Sequence, residues 1–175
     1  MLVLVVGPSG AGKDSLLNGA KAAFVGDPRI HFVRRVITRA ADPDGEGHEP
    51  VSQAEFEARA FALSWSAHGH SYGIPAEAVL AARVVVVNVS RGTIAAAARR
   101  YPVRVIEVTA PPAVLAARLA ARGRESADDM ARRLGRTAVT PDGVAVATVV
   151  NDGTLADGVA RFVGVLRGMV ENPDK

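Results

Sequence analysis

The chain has no cysteine among its 175 residues. That excludes disulfides, thiolate zinc centres and cysteine nucleophiles, and it suits a reducing cytoplasm. Aromatic residues are scarce, 5% against 49% hydrophobic in all, so the core has to be built from Val, Leu, Ile and Ala. Lysine is nearly missing too. Of 21 basic residues only Lys13, Lys21 and Lys175 are lysines, and the rest are arginines, the side chain that clamps phosphate bidentately. Many of those arginines also fit the Ala-, Val- and Gly-rich usage of a GC-rich genome. No apolar run approaches the roughly 18 residues that a membrane span requires, so no membrane partner is expected. The stretch from Met1 to Val6 has no basic leader and stops at a glycine turn, which reads as a strand and not a signal peptide. A net charge of +3 with few aromatics argues against nucleic acid as a partner. The Asn-Lys-x-Asp guanine reader of GTPase switches occurs nowhere in the chain.

What is present begins at residue 7. Gly7, Pro8, Ser9, Gly10, Ala11, Gly12 and Lys13 follow the apolar run Leu2–Val6 and precede an Ala/Leu-rich segment with helical character. A buried strand, a glycine-rich turn and a helix start form a phosphate cradle. Loop amides point inward, the helix dipole adds partial positive charge, and a lysine ammonium reaches the β and γ phosphates. The pattern predicts binding of a nucleoside triphosphate. One position departs from it: Asp14, followed by Ser15, stands where a P-loop carries a Ser or Thr hydroxyl for Mg²⁺. A carboxylate is also a hard-oxygen ligand for Mg²⁺, so Asp14 is the candidate metal residue; it equally suits the first turn of a helix.

Apolar strand-like runs alternate with helical ones, the signature of a mainly parallel α/β sheet in one domain of this length. Strands are expected at 2–6, 31–37, 84–88, 103–108 and 146–150. Helices are expected at 13–24, 52–60, 92–100, 112–121, 127–138 and 154–169. Ser52 with Glu55 and Thr154 with Asp157 read as capping boxes, and Pro111-Pro112 as a helix start. Segments 38–80 and 122–133 break the alternation. In a doubly wound sheet such insertions project beyond the carboxyl ends of the strands, where ligands bind. One insertion suits an acceptor and the other a lid, which is the arrangement of a kinase. Four scattered histidines without helical pairing do not form a metal site, and His68-Gly69-His70 has the look of a hairpin turn.

Several blocks carry a resemblance when taken together. They are Gly7 to Leu17, Ile37-Thr38-Arg39, Glu46-Gly47-His48, Leu63-Ser64-Trp65, Tyr72-Gly73, Asn88-Val89-Ser90-Arg91, Arg118-Leu119 with Arg122-Gly123-Arg124-Glu125, and Asn151-Asp152-Gly153. In this order, over about residues 2 to 167, they resemble the guanylate kinase-like branch of P-loop kinases. Asp14 together with Asn-x-Ser-Arg at 88–91 is similar to the ribose 1,5-bisphosphate phosphokinases within it. The resemblance implies one three-layer α/β P-loop kinase domain over residues 1–175, with an acceptor insertion at about 38–80 and a short lid at about 122–133. It implies ATP and Mg²⁺, and phosphorylation of ribose 1,5-bisphosphate to 5-phosphoribosyl 1-diphosphate in phosphonate breakdown.

The roles it implies are these. Gly7 to Ser15 bind the nucleotide with Lys13 catalytic, Arg122 and Arg124 close over the γ phosphate, and Asn151 and Asp152 lie near adenine. Arg39, Tyr72, Ser90 and Arg91 hold the acceptor's phosphates and surroundings, with Glu46 and His48 on its hydroxyls. Guanylate kinases read the guanine edge with an acidic side chain from the segment around this tryptophan, but Trp65-Ser66-Ala67-His68-Gly69-His70 has no carboxylate. A second arginine three residues after the Thr-Arg pair is also missing, Asp42 standing there. Guanine N–H donors without a partner cost several powers of ten in discrimination, so GMP is a poor fit and a base-less sugar phosphate a better one. Asn88 ends its strand where many P-loop enzymes keep an Asp; a carboxylate gained at Asp14 would offset one lost at 88. Two other readings remain open here: a nucleoside monophosphate kinase, and a non-catalytic guanylate kinase-like binding module. The oligomeric state is not legible.

Overall fold

The computed structural model describes residues 1–40, 47–122 and 140–173. Its backbone is a five-stranded, wholly parallel sheet of order β2-β7-β1-β8-β9. The strands are β1 (Leu2–Val6), β2 (Ile30–Phe32), β7 (Val84–Asn88), β8 (Val103–Thr109) and β9 (Ala145–Val150). All five residues of β1 are buried, as expected of an aliphatic run covered on both faces. Alternation along β1 sends its side chains to two separate cores. Val3 and Val5 pack with Leu16, Leu17 and Ala20 of α1 (Lys13–Ala23) and with Phe162 and Leu166 of α5 (Leu155–Glu171). Leu2, Leu4 and Val6 pack on the other side with Ile94 and Ala97 of α3 (Ile94–Ala98), and with Leu63 and Ile74.

Leu63 and Ile74 belong to a second sheet of order β4-β3-β6-β5, made of β3 (Val36–Ile37), β4 (Glu49–Pro50), β5 (Phe61–Ala67) and β6 (His70–Pro75). The expected acceptor insertion is therefore itself a sheet, capped by α2 (Gln53–Glu57). Its hairpin turns at His68 (φ 54°) and Gly69 (φ 74°), the pair of positive angles that a tight two-residue connection requires. The single strand expected over 31–37 is instead two. β2 pairs with β7 in the large sheet and β3 with β6 in the small one, and the chain crosses over at residues 33–35. Arg34 and Arg35 fall at that crossing, where the backbone leaves a two-sided core that would bury their charge.

The remaining expectations hold with shifted ends. The helix expected over 92–100 is a 3₁₀ turn (Arg91–Thr93) followed by α3, and that over 52–60 shortens to α2. Both capping boxes are present: Thr154 Oγ1 accepts from the Asp157 amide at 3.2 Å, and Ser52 Oγ from the Glu55 amide at 3.2 Å. α4 (Pro112–Arg122) starts at Pro112 as expected. The helix expected over 127–138 lies outside the described residues, as does most of the expected lid. Among the described residues no helix is long and apolar enough to cross a membrane.

Candidate active site

The large sheet reverses its strand order at β1, with β7 on one side and β8 on the other. Ligands bind at that switch point, beyond the carboxyl ends of the strands. Residues 7–12 occupy it. Gly7 (φ 148°) and Gly12 (φ 86°) both adopt backbone that favours glycine. A Cβ at Gly7 would overlap the Val108 carbonyl, and one at Gly12 would lie 2.5 Å from Asn151 Nδ2. Gly12 is also the N-cap of α1 and offers no side-chain acceptor, so the first-turn amides of α1 are left for a ligand. Lys13 opens that helix, and its Nζ donates to the carbonyls of Gly7 at 2.9 Å and Pro8 at 3.0 Å, spanning the loop. Glycine backbone, open helix amides and a lysine across the loop's mouth fit a polyphosphate.

Two side chains outside the loop brace it, and a third meets the helix that follows. Asn151 is buried at the end of β9, and its Nδ2 donates to the Ala11 carbonyl at 2.8 Å. Arg118 of α4 approaches the Gly10 carbonyl at 3.5 Å. Asn88, at the end of β7, donates to Asp14 Oδ1 at 2.8 Å. The two positions at which a carboxylate gained was expected to offset one lost are therefore in direct contact, which the sequence did not indicate. Asp14 lies in the first turn of α1, half-buried beside the loop. Among the described residues no three His, Asp or Glu side chains converge as a metal cage. Mg²⁺ does not demand one: it is commonly held by one or two carboxylates plus substrate phosphates, and Asp14 is a fitting donor for that.

Tyr72, expected on the acceptor side, belongs to the small sheet. Ile37 pairs with Tyr72, and Tyr72 with Trp65, so these three share one face. Tyr72 and Trp65 stack with centroids 5.4 Å apart and planes 10° from parallel. Arg35, two residues before Ile37, has its guanidinium 5.4 Å from the Tyr72 ring centroid and donates to the Asn88 carbonyl at 3.3 Å. Burial pushes its pKa down to about 10 while nearby Asp14 and Tyr72 oppose the shift, so it stays charged at neutral pH. Arg39 lies close enough to Arg35 to add to that lowering. Arg35 escaped the sequence reading because it sits in a run read as one buried strand. The signal was available: two adjacent arginines interrupting apolar residues mark a crossing, not a core.

The other expected site residues divide. Tyr72 is buried. His48 is buried as well, its Nε2 meeting the Arg39 carbonyl at 3.1 Å, so it braces the backbone that carries Arg39. Arg34 braces the same segment, donating to the carbonyls of Gly47 at 2.8 Å and His48 at 3.1 Å. Ser90 is exposed at the start of the 3₁₀ turn, and Arg91 pairs with Glu107 of β8 at 2.8 Å. Asp152 pairs with Arg161 of α5 at 2.7 Å. Ser15 is exposed on α1, while Ala11 is buried in the loop. Arg122 is the last residue of α4; Glu46 and Arg124 lie outside the described residues.

No family model matches the chain. The guanylate kinase of Anaplasma phagocytophilum superposes with a TM-score of 0.66 over 96% of this chain and 85% of its own, at 16% identity. The likeness is one of fold: the chain has the guanylate kinase-like P-loop fold, a parallel sheet with a glycine-rich loop at its switch point and a small second sheet beside it. Sequence relatives narrow the class. The ribose 1,5-bisphosphate phosphokinase PhnN of Acidiphilium cryptum is 56% identical over 94% of this chain and 91% of its own length. Its namesake in Burkholderia pseudomallei is 47% identical over 98% of this chain and 97% of its own. The chain belongs to the ribose 1,5-bisphosphate phosphokinase family.

Proposed function

We propose that the chain transfers the γ-phosphoryl group of ATP to the C1 phosphate of α-D-ribose 1,5-bisphosphate, giving ADP and 5-phospho-α-D-ribose 1-diphosphate. The observation that carries this is identity at 47–56% across almost the whole chain to two enzymes of that name. A new bond forms between a C1-phosphate oxygen and the γ phosphorus. The bond from the γ phosphorus to the β,γ-bridging oxygen breaks, and its electron pair leaves with ADP. The attacking oxygen is already anionic at neutral pH, so no general base has to create it. Catalysis then rests on positioning and on neutralising charge in the transferring group.

Lys13 and the amides of residues 7–13 hold the β and γ phosphates in this reading. Asp14, steadied by Asn88, would be the protein ligand of Mg²⁺, whose charge would offset that of the phosphates. Arg122 and Arg124 would close over the γ phosphate, a role that can contribute about 10³–10⁵ in rate. Asn151 and Arg118 shape the loop from behind, and Asn151 thereby fixes the nucleotide indirectly. Arg39, Tyr72, Ser90 and Arg91, with Glu46 and His48 nearby in sequence, form the acceptor side. The physiological setting we infer is a cytoplasmic enzyme of phosphonate use, a place that the lack of cysteine supports.

The test is ATP consumption by purified protein with ribose 1,5-bisphosphate, ribose 5-phosphate, GMP, AMP and water in parallel. Turnover confined to ribose 1,5-bisphosphate is the expected result. Turnover with GMP in its place would instead make the chain a divergent nucleotide kinase.

A further inference from the structure

We propose that Gly158 of α5 is a positioning residue for nucleotide binding: its missing side chain leaves the room in which the Asn151 carboxamide braces the phosphate loop. This rests on the nucleotide site of the function proposed above and adds to it a residue of the C-terminal helix. Asn151 Nδ2 donates to the Ala11 carbonyl at 2.8 Å. Its Oδ1 is buried and has no hydrogen-bond partner among the described residues. Hydrogen bonding therefore fixes one end of the carboxamide, and the shapes around it place the other. Those shapes are two glycines. A Cβ at Gly12 would lie 2.5 Å from Nδ2, and a Cβ at Gly158 would overlap Oδ1.

Gly12 needs glycine for its backbone, at φ 86°, but Gly158 does not. Its amide donates to the Thr154 carbonyl at 3.1 Å, ordinary helical geometry in which alanine is the better residue. What a glycine contributes here is space. Of the three glycines in α5, Gly164 and Gly168 have nothing within 4 Å of an added Cβ, and Gly158 alone is crowded. Its Cβ would also come 3.0 Å from Leu16 Cδ2 of α1. The two helices already meet closely, since Val159 fills the place that a Cβ at Gly19 would take. Parting them would open the core that Leu16, Phe162 and Leu166 fill. An alanine at 158 is therefore accommodated by a side-chain tip, and the Asn151 carboxamide is the tip with no bond at Oδ1 to keep it. Turning it away breaks its bond to Ala11 and loosens the loop that receives the phosphates.

The experiment measures ATP binding with Mg²⁺ by titration calorimetry, with no acceptor present, for wild type, Gly158→Ala, Asn151→Ala and the double variant. Gly158→Ala should weaken ATP binding by about 3–10-fold, the size of one hydrogen bond, and Asn151→Ala by a similar factor. The double variant should match Asn151→Ala within about twofold, because an alanine at 158 has no carboxamide left to displace. In steady-state assays Gly158→Ala should raise KM for ATP and leave KM for the acceptor within about twofold of wild type. Gly164→Ala, on the same helix but in open space, should bind ATP as wild type does. Losses that multiply in the double variant, or unchanged affinity in Gly158→Ala, would overturn the assignment. Should Gly158→Ala not fold, the double variant carries the test: folding with the affinity of Asn151→Ala supports the assignment, and failure to fold overturns it. A wild type that binds ATP but leaves ribose 1,5-bisphosphate unchanged would overturn the acceptor reading and leave the role of Gly158 standing. A wild type that binds no ATP would overturn both.

Discussion

Lys13 and Asp14 are consecutive residues of one helix start, yet the structure gives them separable work. The Lys13 ammonium bridges the carbonyls of Gly7 and Pro8, so it belongs to the phosphate loop, whereas the Asp14 carboxylate reaches Asn88 on β7. Lys13→Ala should therefore lower kcat/KM by at least about 10², a loss of roughly 2.7 kcal/mol or more in transition-state stabilisation. Its melting temperature should stay near that of wild type, since its hydrogen bonds to the Gly7 and Pro8 carbonyls lie at the loop and not in either core. Asp14→Asn keeps the shape and one acceptor oxygen but removes the charge. The expected outcome is a rise of about tenfold in the Mg²⁺ concentration for half-maximal activity, read by metal titration at saturating ATP. Unchanged metal dependence would leave Asp14 as a helix-start residue only.

The loop from 7 to 12 is an element whose conformation two neighbours enforce. Gly12→Ala adds a Cβ at φ 86° and drives it into the Asn151 carboxamide that holds Ala11. Two penalties combine, left-handed strain of about 1–2 kcal/mol and displacement of a buried hydrogen bond worth about 1 kcal/mol. The variant should melt lower and bind ATP at least about tenfold more weakly by titration calorimetry.

The turn from α1 into β2 holds a different device. Arg29 donates to Asp27, with Nη2 at 2.7 Å from Oδ2, and this hydrogen-bonded pair lowers the Asp27 pKa from 3.8 to about 2. A depressed carboxylate stabilises the fold at pH above its unfolded value and loses that contribution as pH falls through its folded value. The melting-temperature gap between wild type and Asp27→Asn should thus be constant above about pH 5. It should shrink between about pH 4 and 2. Being at the surface, it should also shrink in high salt.

Across the whole molecule, two cores share β1 as a common wall, one under α1 and α5 and one under α3 and the small sheet. The phosphate loop leaves the end of that wall. A nucleotide on the loop consequently stabilises both cores, and it should raise the melting temperature of the entire domain in one transition. At a hundred times its Kd the gain is about 2.7 kcal/mol, or roughly 5–10 °C for a chain of this size. A scan that splits into two transitions, only one of them moved by ATP with Mg²⁺, would show that the small sheet unfolds on its own.

The sequence by itself determined the phosphate loop, the parallel sheet and both capping boxes, because each depends on residues near one another in the chain. Glycines at 7, 10 and 12 dictate backbone angles locally. Val84-Val85-Val86-Val87 declares a two-sided strand by composition, and Thr154 meets Asp157 within one turn. Relations across the fold were decided only in three dimensions. Asn88 meets Asp14, and Asn151 meets Ala11, across long stretches of chain whose pairing no local pattern encodes. Tertiary packing likewise split residues 30–37 between two sheets, since hydrophobic period specifies a strand but not the partner it pairs with. The contacts of Arg35 have the same origin: its neighbours Asn88 and Tyr72 arrive from other strands.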